Sequence, residues 1–387
     1  MKRSNFILLL VFCLINIHAQ ELPIKVGAEC VSEYFPLLKG KRIAVFCNHT
    51  SMAGNEYLVD LLVRSGFNVS IIFAPEHGFR GGADAGERVN DEIDPKTGIS
   101  IFSLYKSKTG RPRKEQMQKF DILIADIQDV GLRYYTYYIS MYKLMDACAE
   151  YKKHMILLDR PNPNGFYVDG PILDMKYKSG VGYLPIPIVH GMTLGELAQM
   201  INGELWLPKN RKCKLTVIKC KNYTHHTLYQ LPIAPSPNLP NMKSIYLYAS
   251  TCFFEGTRVS LGRGTPFPFQ VYGHPNMTAN FSFTPKSITG AKNPPLKNKK
   301  CYGVDLRSIP DEQIREEGIN LNYLIDAYNN LNIGTDFFTP FILNLTGVDY
   351  IREMIIKGKT ASEIKAVWKD DVENFKLKRK PYLLYEE

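Results

Sequence analysis

The feature that most constrains this chain is an alternation in its first half. Short apolar runs, each ending abruptly in polar residues, are separated by stretches of helical period. Arg42-Ile43-Ala44-Val45-Phe46-Cys47 leads into Asn48-His49-Thr50-Ser51, and Val69-Ser70-Ile71-Ile72-Phe73-Ala74 leads into Pro75-Glu76-His77-Gly78-Phe79-Arg80. Asp121-Ile122-Leu123-Ile124-Ala125 ends in Asp126-Ile127-Gln128-Asp129, and Met155-Ile156-Leu157-Leu158 ends in Asp159-Arg160-Pro161. Near-continuous apolar runs mark strands buried on both faces, and their alternation with helices predicts an α/β fold with βαβ units and a parallel sheet. The run from Ile99 to Leu104 is expected to add a strand. Helices are expected from about Tyr57 to Gly66 and, rich in tyrosine, from about Tyr134 to Tyr151.

Right-handed crossovers bring the carboxyl ends of parallel strands to one edge, where α/β sheets place their sites. That edge is expected to carry Asn48, Glu76, His77, Asp126, Gln128, Asp129, Asp159 and Arg160. Past residue 175 the texture changes to proline, glycine and short strands, which predicts a domain boundary near 172–182: one domain over 22–175 and a smaller one over 176–387. Thr193-Leu194-Gly195-Glu196 and Thr360-Ala361-Ser362-Glu363 are capping boxes. The second is expected to open a terminal helix with Ile364, Val367, Trp368, Val372 and Phe375 as its apolar face.

Lys2 and Arg3 precede an apolar run from Phe6 to Ile15, and Ala19 offers a cleavage point, as in a secretory signal peptide over 1–19. The run is too short to span a bilayer, so export rather than membrane insertion is expected. With 45% hydrophobic and 22% charged residues among 387, the remainder is ordinary globular composition. Loss of the signal lowers the net charge from +10 to +8, a scattered excess. The one basic cluster, Lys376, Lys378, Arg379 and Lys380, is expected to be a solvated tail, and nucleic acid has no other support. Seven cysteines remain, an odd number without tight spacing, which argues against a disulfide framework. Cys47 and Cys148 are expected in the core, and pairing of Cys213 with Cys220 is left open.

Glycosidic cleavage needs a carboxylic acid as proton donor and often a second carboxylate. Glu76, between Pro75 and His77 at a strand end, has suitable surroundings, and Asp126, Asp129, Asp159, Glu87 and Glu255 are candidates for the second group. Each of these acids has an alternative role in a structural ion pair with Arg133, Arg160 or Arg258. A metal set of His49, His77, Asp126 and Asp159 lacks the paired-histidine spacing of zinc hydrolases. Ser103-Leu104-Tyr105-Lys106 matches Ser-x-x-Lys, but its Lys-Thr-Gly lies almost adjacent at Lys108 instead of far downstream. Of the tyrosine run, Tyr134 and Tyr135 lie nearest the strand end and are the candidates for a sugar platform, whereas His190 either meets a ligand or caps the turn before Thr193.

Several long motifs occur in an order that resembles the NamZ-type exo-β-N-acetylmuramidases. They are Asn48-His49-Thr50-Ser51, Pro75-Glu76-His77-Gly78-Phe79-Arg80-Gly81, Asp126-Ile127-Gln128-Asp129-Val130-Gly131-Leu132-Arg133-Tyr134-Tyr135, Asp159-Arg160-Pro161-Asn162-Pro163, His190-Gly191-Met192-Thr193, Pro235-Ser236-Pro237-Asn238, and Phe254-Glu255-Gly256-Thr257 through Gly262-Arg263-Gly264-Thr265. The resemblance runs from about residue 25 to the C-terminus, and departs from the family pattern at Lys106, where glycine is expected. It implies a Rossmann-like N-terminal domain, a smaller α+β C-terminal domain and a cleft site between them, with no metal or nucleotide cofactor. The implied activity is removal of N-acetylmuramic acid from the non-reducing end of peptidoglycan fragments, in the periplasm. The motif carries the acid role to Glu76, with His77 and Asp126 shaping its surroundings. Asn48, Arg80, Gln128, Arg133, Tyr135, Asp159, His190, Ser236, Asn238, Glu255, Arg258 and Arg263 are the implied substrate-binding residues. Among them an arginine is expected to hold the lactyl carboxylate, because guanidinium matches carboxylate geometry. The alternatives are a non-catalytic wall-fragment binding protein and a metal-dependent hydrolase.

Overall fold

The structure, a computed structural model, describes residues 22–75, 79, 92–104 and 109–387. In chain order, α1 (Val31–Leu38) precedes β1 (Arg42–Cys47), and a hairpin of β2 (Met52–Ala53) and β3 (Glu56–Tyr57) leads into α2 (Leu58–Arg64) and β4 (Asn68–Ala74). There follow β5 (Glu92–Ile93), β6 (Ser100–Ser103), α3 (Lys114–Met117), β7 (Ile122–Asp126), α4 (Tyr137–Glu150), β8 (His154–Leu158), α5 (Leu194–Gly203) and β9 (Lys214–Ile218). Seven of these strands form one sheet in the order β5-β6-β4-β1-β7-β8-β9, parallel except where β5 pairs with β6.

The register explains why the central strands are apolar throughout. Successive side chains point to opposite faces, and both faces are covered. Ile43, Val45 and Cys47 of β1 join Ile72, Ile124 and Ile156 against Tyr34 and Leu38 of α1 and Leu58 and Leu62 of α2. Ala44 and Phe46 join Ile71, Phe73, Leu123 and Leu157 on the other face, against α4 and α5.

The second region carries α6 (Met242–Thr251) and an antiparallel sheet in the order β10-β12-β11, formed by β10 (Val271–His274), β11 (Phe281–Phe283) and β12 (Cys301–Asp305). It ends in α7 (Asp311–Glu317), α8 (Asn322–Leu331), α9 (Ile342–Thr346), α10 (Tyr350–Ile356), α11 (Ala361–Val367) and α12 (Lys369–Arg379). Most of its buried apolar residues belong to the same continuous core as the α4 face of the large sheet, while Val271, Phe283 and Cys301 of the small sheet form a cluster of their own. Among the described residues no helix is long and apolar enough to cross a membrane.

Four expectations need correction. The large sheet does not end near 172–182, because β9 at Lys214–Ile218 pairs with β8 and becomes its edge strand. The tyrosine helix begins at Tyr137 rather than Tyr134: Gly131 takes φ +75° and the Tyr135 N–H turns back to the Leu132 carbonyl, so the strand leaves through a tight turn. The terminal helix is two helices that meet at Trp368, whose indole N–H donates to Asp169 Oδ1 at 2.9 Å.

Lys378 and Lys380 of the basic cluster are exposed as expected, but the cluster lies in and directly after α12 rather than in a tail. Arg379 is buried and donates to the Gly191 carbonyl, and the residues after α12 return to the sheet. There the Leu384 N–H donates to Glu196 Oε1 at 2.8 Å, and the Tyr385 hydroxyl to Asp159 Oδ2 at 2.7 Å. Both capping boxes form as written, with Thr193 and Thr360 each accepting from the N–H three residues on. All seven described cysteines are buried free thiols; Cys213 and Cys220 lie at opposite ends of β9, and the Cys220 thiol points to the Asp159 carbonyl at 3.2 Å.

Candidate functional site

The carboxyl edge of the large sheet is polar, as its sequence requires, but most of that polarity is internally bonded. Asp126 ends β7 fully buried and pairs with Arg160 through two bonds, Nε to Oδ1 at 2.5 Å and Nη2 to Oδ2 at 2.9 Å. Arg160 also donates to the Met52 carbonyl, which ties the hairpin to the edge. Asn48, at the end of β1, accepts from Thr50 and donates to the Tyr137 hydroxyl at 3.1 Å. Gln128 reaches the carbonyls of Asp129 and Pro161, both at 2.8 Å. A buried donor or acceptor left unpaired costs about 1–3 kcal/mol, so this network is what allows a polar edge to be buried.

Three predicted ligands are enclosed in the same way. Arg133 is wholly buried, and its guanidinium donates to the carbonyls of Pro171, Ile186, Leu345 and Thr346. Asp159 accepts from the Thr193 hydroxyl, the Gly195 N–H and Tyr385. Burial pushes its carboxyl up to about 6 against these donors. His190 is buried and accepts the Met192 N–H on Nδ1, while burial and the nearby Arg379 charge push its pKa down to about 3. It is therefore a neutral turn cap. Arg258 is exposed, bonded to the Asp336 carbonyl, and lines neither cavity described below.

The open volume lies where the second region meets this edge. The proline-rich segment 234–240 docks on it: His49 Nε2 meets the Ala234 carbonyl at 2.8 Å, and the Tyr135 hydroxyl donates to the Pro235 carbonyl at 2.9 Å. Between them is a cavity of about 150 Å³ lined by Tyr135, Tyr137, Ser236, Asn238, Glu255 and Arg263, among others. Arg263 donates to Glu255 Oε1 through Nε at 2.9 Å and Nη2 at 2.5 Å, and its Nη1 makes no hydrogen bond among the described residues. The two side chains are 20% and 24% exposed, so the pair faces the cavity rather than being sealed in the core. A second cavity of about 590 Å³ adjoins the first and shares both residues.

Six sequence candidates are thus brought together: Tyr134, Tyr135, Ser236, Asn238, Glu255 and Arg263. Glu76, His77, Arg80 and Glu87 lie outside the described residues; β4 ends at Ala74, beside the end of β1. Sequence reasoning missed Tyr248 and Phe269, which line the smaller cavity. The Phe269 ring centre is 5.0 Å from the Arg263 guanidinium, and its backbone has φ +63°. A bulky residue in the left-handed region costs on the order of 1–3 kcal/mol and is held only where surrounding structure over-determines it, often at binding sites. Here the Phe269 N–H donates to the Leu261 carbonyl and its own carbonyl accepts from Thr251. No residue pattern announces such a torsion.

Asp129 is a further acid at the edge. Its Oδ1 accepts the Gly131 N–H at 2.7 Å, and burial pushes its carboxyl up to about 7.

Comparison with known proteins is consistent across methods. The chain matches the family models described as Exo-beta-N-acetylmuramidase NamZ, N-terminal, over residues 43–243 and Exo-beta-N-acetylmuramidase NamZ, C-terminal, over residues 246–385. It is 35% identical over 394 residues to the peptidoglycan beta-N-acetylmuramidase NamZ of Bacillus subtilis (strain 168), covering 96% of this chain and 93% of that protein. Crystal structures of two DUF1343 family proteins from Bacteroides fragilis NCTC 9343 share the fold. One is 65% identical with a TM-score of 0.89, covering 95% of this chain and all of that one. The other is 27% identical with a TM-score of 0.81, covering 94% and 99%. The two family models meet between 243 and 246, after β9, where the large sheet has ended.

Proposed function

The chain belongs to the NamZ family of exo-β-N-acetylmuramidases, and from that premise we propose that it removes terminal non-reducing N-acetylmuramic acid from peptidoglycan fragments, as an exported, periplasmic enzyme of cell-wall turnover or recycling. The observation that carries this reading is the small cavity at the sheet edge, lined by tyrosines and by the partly exposed Glu255–Arg263 pair. Aromatic faces suit the apolar faces of a pyranose, and the guanidinium suits a lactyl carboxylate. Arg263 presents Nη1 to that carboxylate, while Glu255 Oε2 accepts from a sugar hydroxyl or amide. The Phe269 ring beside the guanidinium orients it and keeps water from its face.

Glu76, which follows Pro75 in the chain, is the proposed acid that protonates the leaving glycosidic oxygen. His77 and Arg80 are carried by the same motif. The Asp126–Arg160 pair holds the neighbouring strand ends in place, because the fully bonded Asp126 carboxylate is not free to act as acid or nucleophile.

The test is release of N-acetylmuramic acid from a muramic-acid-terminated disaccharide. Glu76→Gln is expected to lower kcat by about a thousandfold or more with little change in melting temperature. Full activity in that variant would remove Glu76 from the acid role.

A further inference from the structure

We propose that Arg133 is a positioning residue of the site: its guanidinium holds one end of α9, and α9 sets where Glu255 and its partner Arg263 stand relative to Tyr134 and Tyr135. The proposal rests on the muramidase reading above and adds to it what keeps these side chains in register.

Arg133 itself lines neither cavity. The chain passes directly from it to Tyr134 and Tyr135, which line the smaller one, and its own N–H donates to the Ile188 carbonyl at 2.8 Å. The guanidinium then joins two parts of the fold. Nη1 donates to the Pro171 and Ile186 carbonyls at 2.7 and 2.9 Å, and Nη2 to the Leu345 and Thr346 carbonyls at 3.1 and 2.6 Å. The last two are the final carbonyls of α9, which a helix cannot satisfy from within. Gly347 makes the approach possible: it takes φ +74°, and a Cβ there would stand 2.6 Å from Nη2.

The other end of α9 carries this anchor to Glu255. Ile342 lies backbone to backbone against Gly256, where a Cβ would come within 2.5 Å of the Ile342 Cα, and the Thr339 N–H donates to the Gly256 carbonyl at 2.9 Å. Gly256 directly follows Glu255, and Phe341, just before α9, lines the larger cavity together with Glu255 and Arg263. A helix of five residues, about 7.5 Å long, thus connects the guanidinium to the backbone beside Glu255. A strut this short has little room to bend.

The chemistry explains why the anchor is an arginine. A fully buried charge is costly, and among the described residues no carboxylate bonds to this one; four carbonyls take its Nη hydrogens instead. An apolar side chain would leave those carbonyls without a donor. Lysine has three donors on one atom and no planar fork, so it cannot hold both pairs. A group that fixes two segments at one separation matters most where geometry sets the rate, since a shift of about 1 Å remote from the reacting atoms can cost about a hundredfold.

A double-mutant cycle tests this, read as kcat/KM for release of N-acetylmuramic acid from the muramic-acid-terminated disaccharide. Arg133→Lys keeps the charge and loses the fork, and Gly347→Ala presses a Cβ against the same guanidinium. Each is expected to lower kcat/KM by about tenfold or more, measured well below its melting temperature. In an Arg263→Ala background the pair being positioned is gone, so the same substitutions should cost at most about twofold, while their effects on stability stay additive. Equal fold-losses in the two backgrounds, which a residue that only supports the fold would give, would overturn the proposal. Full kcat/KM in folded Arg133→Lys would overturn it too, and if that variant does not fold, Gly347→Ala decides on the same two criteria. Wild-type release of the sugar with equal losses leaves the muramidase reading standing. No release by wild type overturns that reading and the positioning role with it.

Discussion

The sheet edge and the wall that faces it are both crowded with polar side chains, and they use them in opposite ways. At the edge, Asp126, Gln128, Asp159 and Arg133 are buried and their hydrogen-bonding groups point to the protein's own backbone and partners. On the facing wall, Glu255 and Arg263 pair through one carboxylate oxygen, stay partly exposed, and keep donor and acceptor capacity for a ligand. The difference teaches that polarity at strand ends is not in itself a site. Buried polar groups are mostly satisfied by something, and at this edge that something is mainly the fold, with Asp129 Oδ2, Arg133 Nε and His190 Nε2 left without a partner among the described residues. Residues that serve a ligand are those whose second bonding position opens onto a cavity.

If that distinction holds, breaking the edge unfolds the protein and breaking the wall only disables it. The largest effect is expected from Arg160→Met. It leaves the fully buried Asp126 carboxylate without its partner, and removal of one member of a buried pair typically costs about 3–5 kcal/mol. Chemical denaturation should show that loss, while KM of the folded protein stays within about twofold. A stable variant with a raised KM would instead place Arg160 among the ligand-binding groups.

Next in size is a pH effect at the edge. Burial raises the Asp129 carboxyl from its ordinary 3.8 to about 7. Between these values the unfolded chain gives up the proton while the folded chain keeps it, so the contribution to stability is fully present below about pH 4 and is lost as pH rises through about 7. A shift of this size corresponds to about 4 kcal/mol. Asp159, raised to about 6 by burial, acts in the same direction. Asp129→Asn keeps the acceptor for Gly131 and cannot ionise, so its stability should fall less than that of the wild type between pH 5 and pH 8 in paired melting curves. Parallel curves would refute the assignment.

Much of the fold was legible because the physics that forms it is local. Continuous apolar runs such as Ile43–Cys47 exist because both faces of the central strands are covered, and the boxes at Thr193 and Thr360 form from residues three apart. β9 escaped notice as part of the sheet because it is an edge strand: Lys214 is exposed and only Ile218 is fully buried, so its run lacks the uniform apolarity of β7. At the cavity, Tyr135, Ser236, Asn238, Glu255 and Arg263, which the motifs singled out, are gathered by the fold from distant parts of the chain. The motifs equally singled out Arg133 and His190, because sequence carries residue types but not which hydrogen bonds are already made. The torsion at Phe269 depends on long-range packing and leaves no local pattern. Glu76 and His77 fall outside the described residues, so their roles still rest on the motif.

The sharpest way to separate the two regions is Arg263→Ala. An ion pair only about a fifth exposed is worth more than the roughly 0–1 kcal/mol of a surface pair and less than the roughly 3–5 kcal/mol of a fully buried one, so the melting temperature should fall by less than in Arg160→Met. Loss of a charge-assisted contact to a substrate carboxylate should raise KM and lower kcat/KM by about ten- to a hundredfold. The effect should shrink on a substrate whose lactyl carboxyl is amidated, because the neutral amide gains less from a guanidinium. Arg263→Lys should recover part of the loss, since it restores the charge without the planar fork. Were Arg263→Ala instead to cost several kcal/mol of stability and leave KM alone, the wall would be built like the edge, and the substrate carboxylate would have to be sought elsewhere.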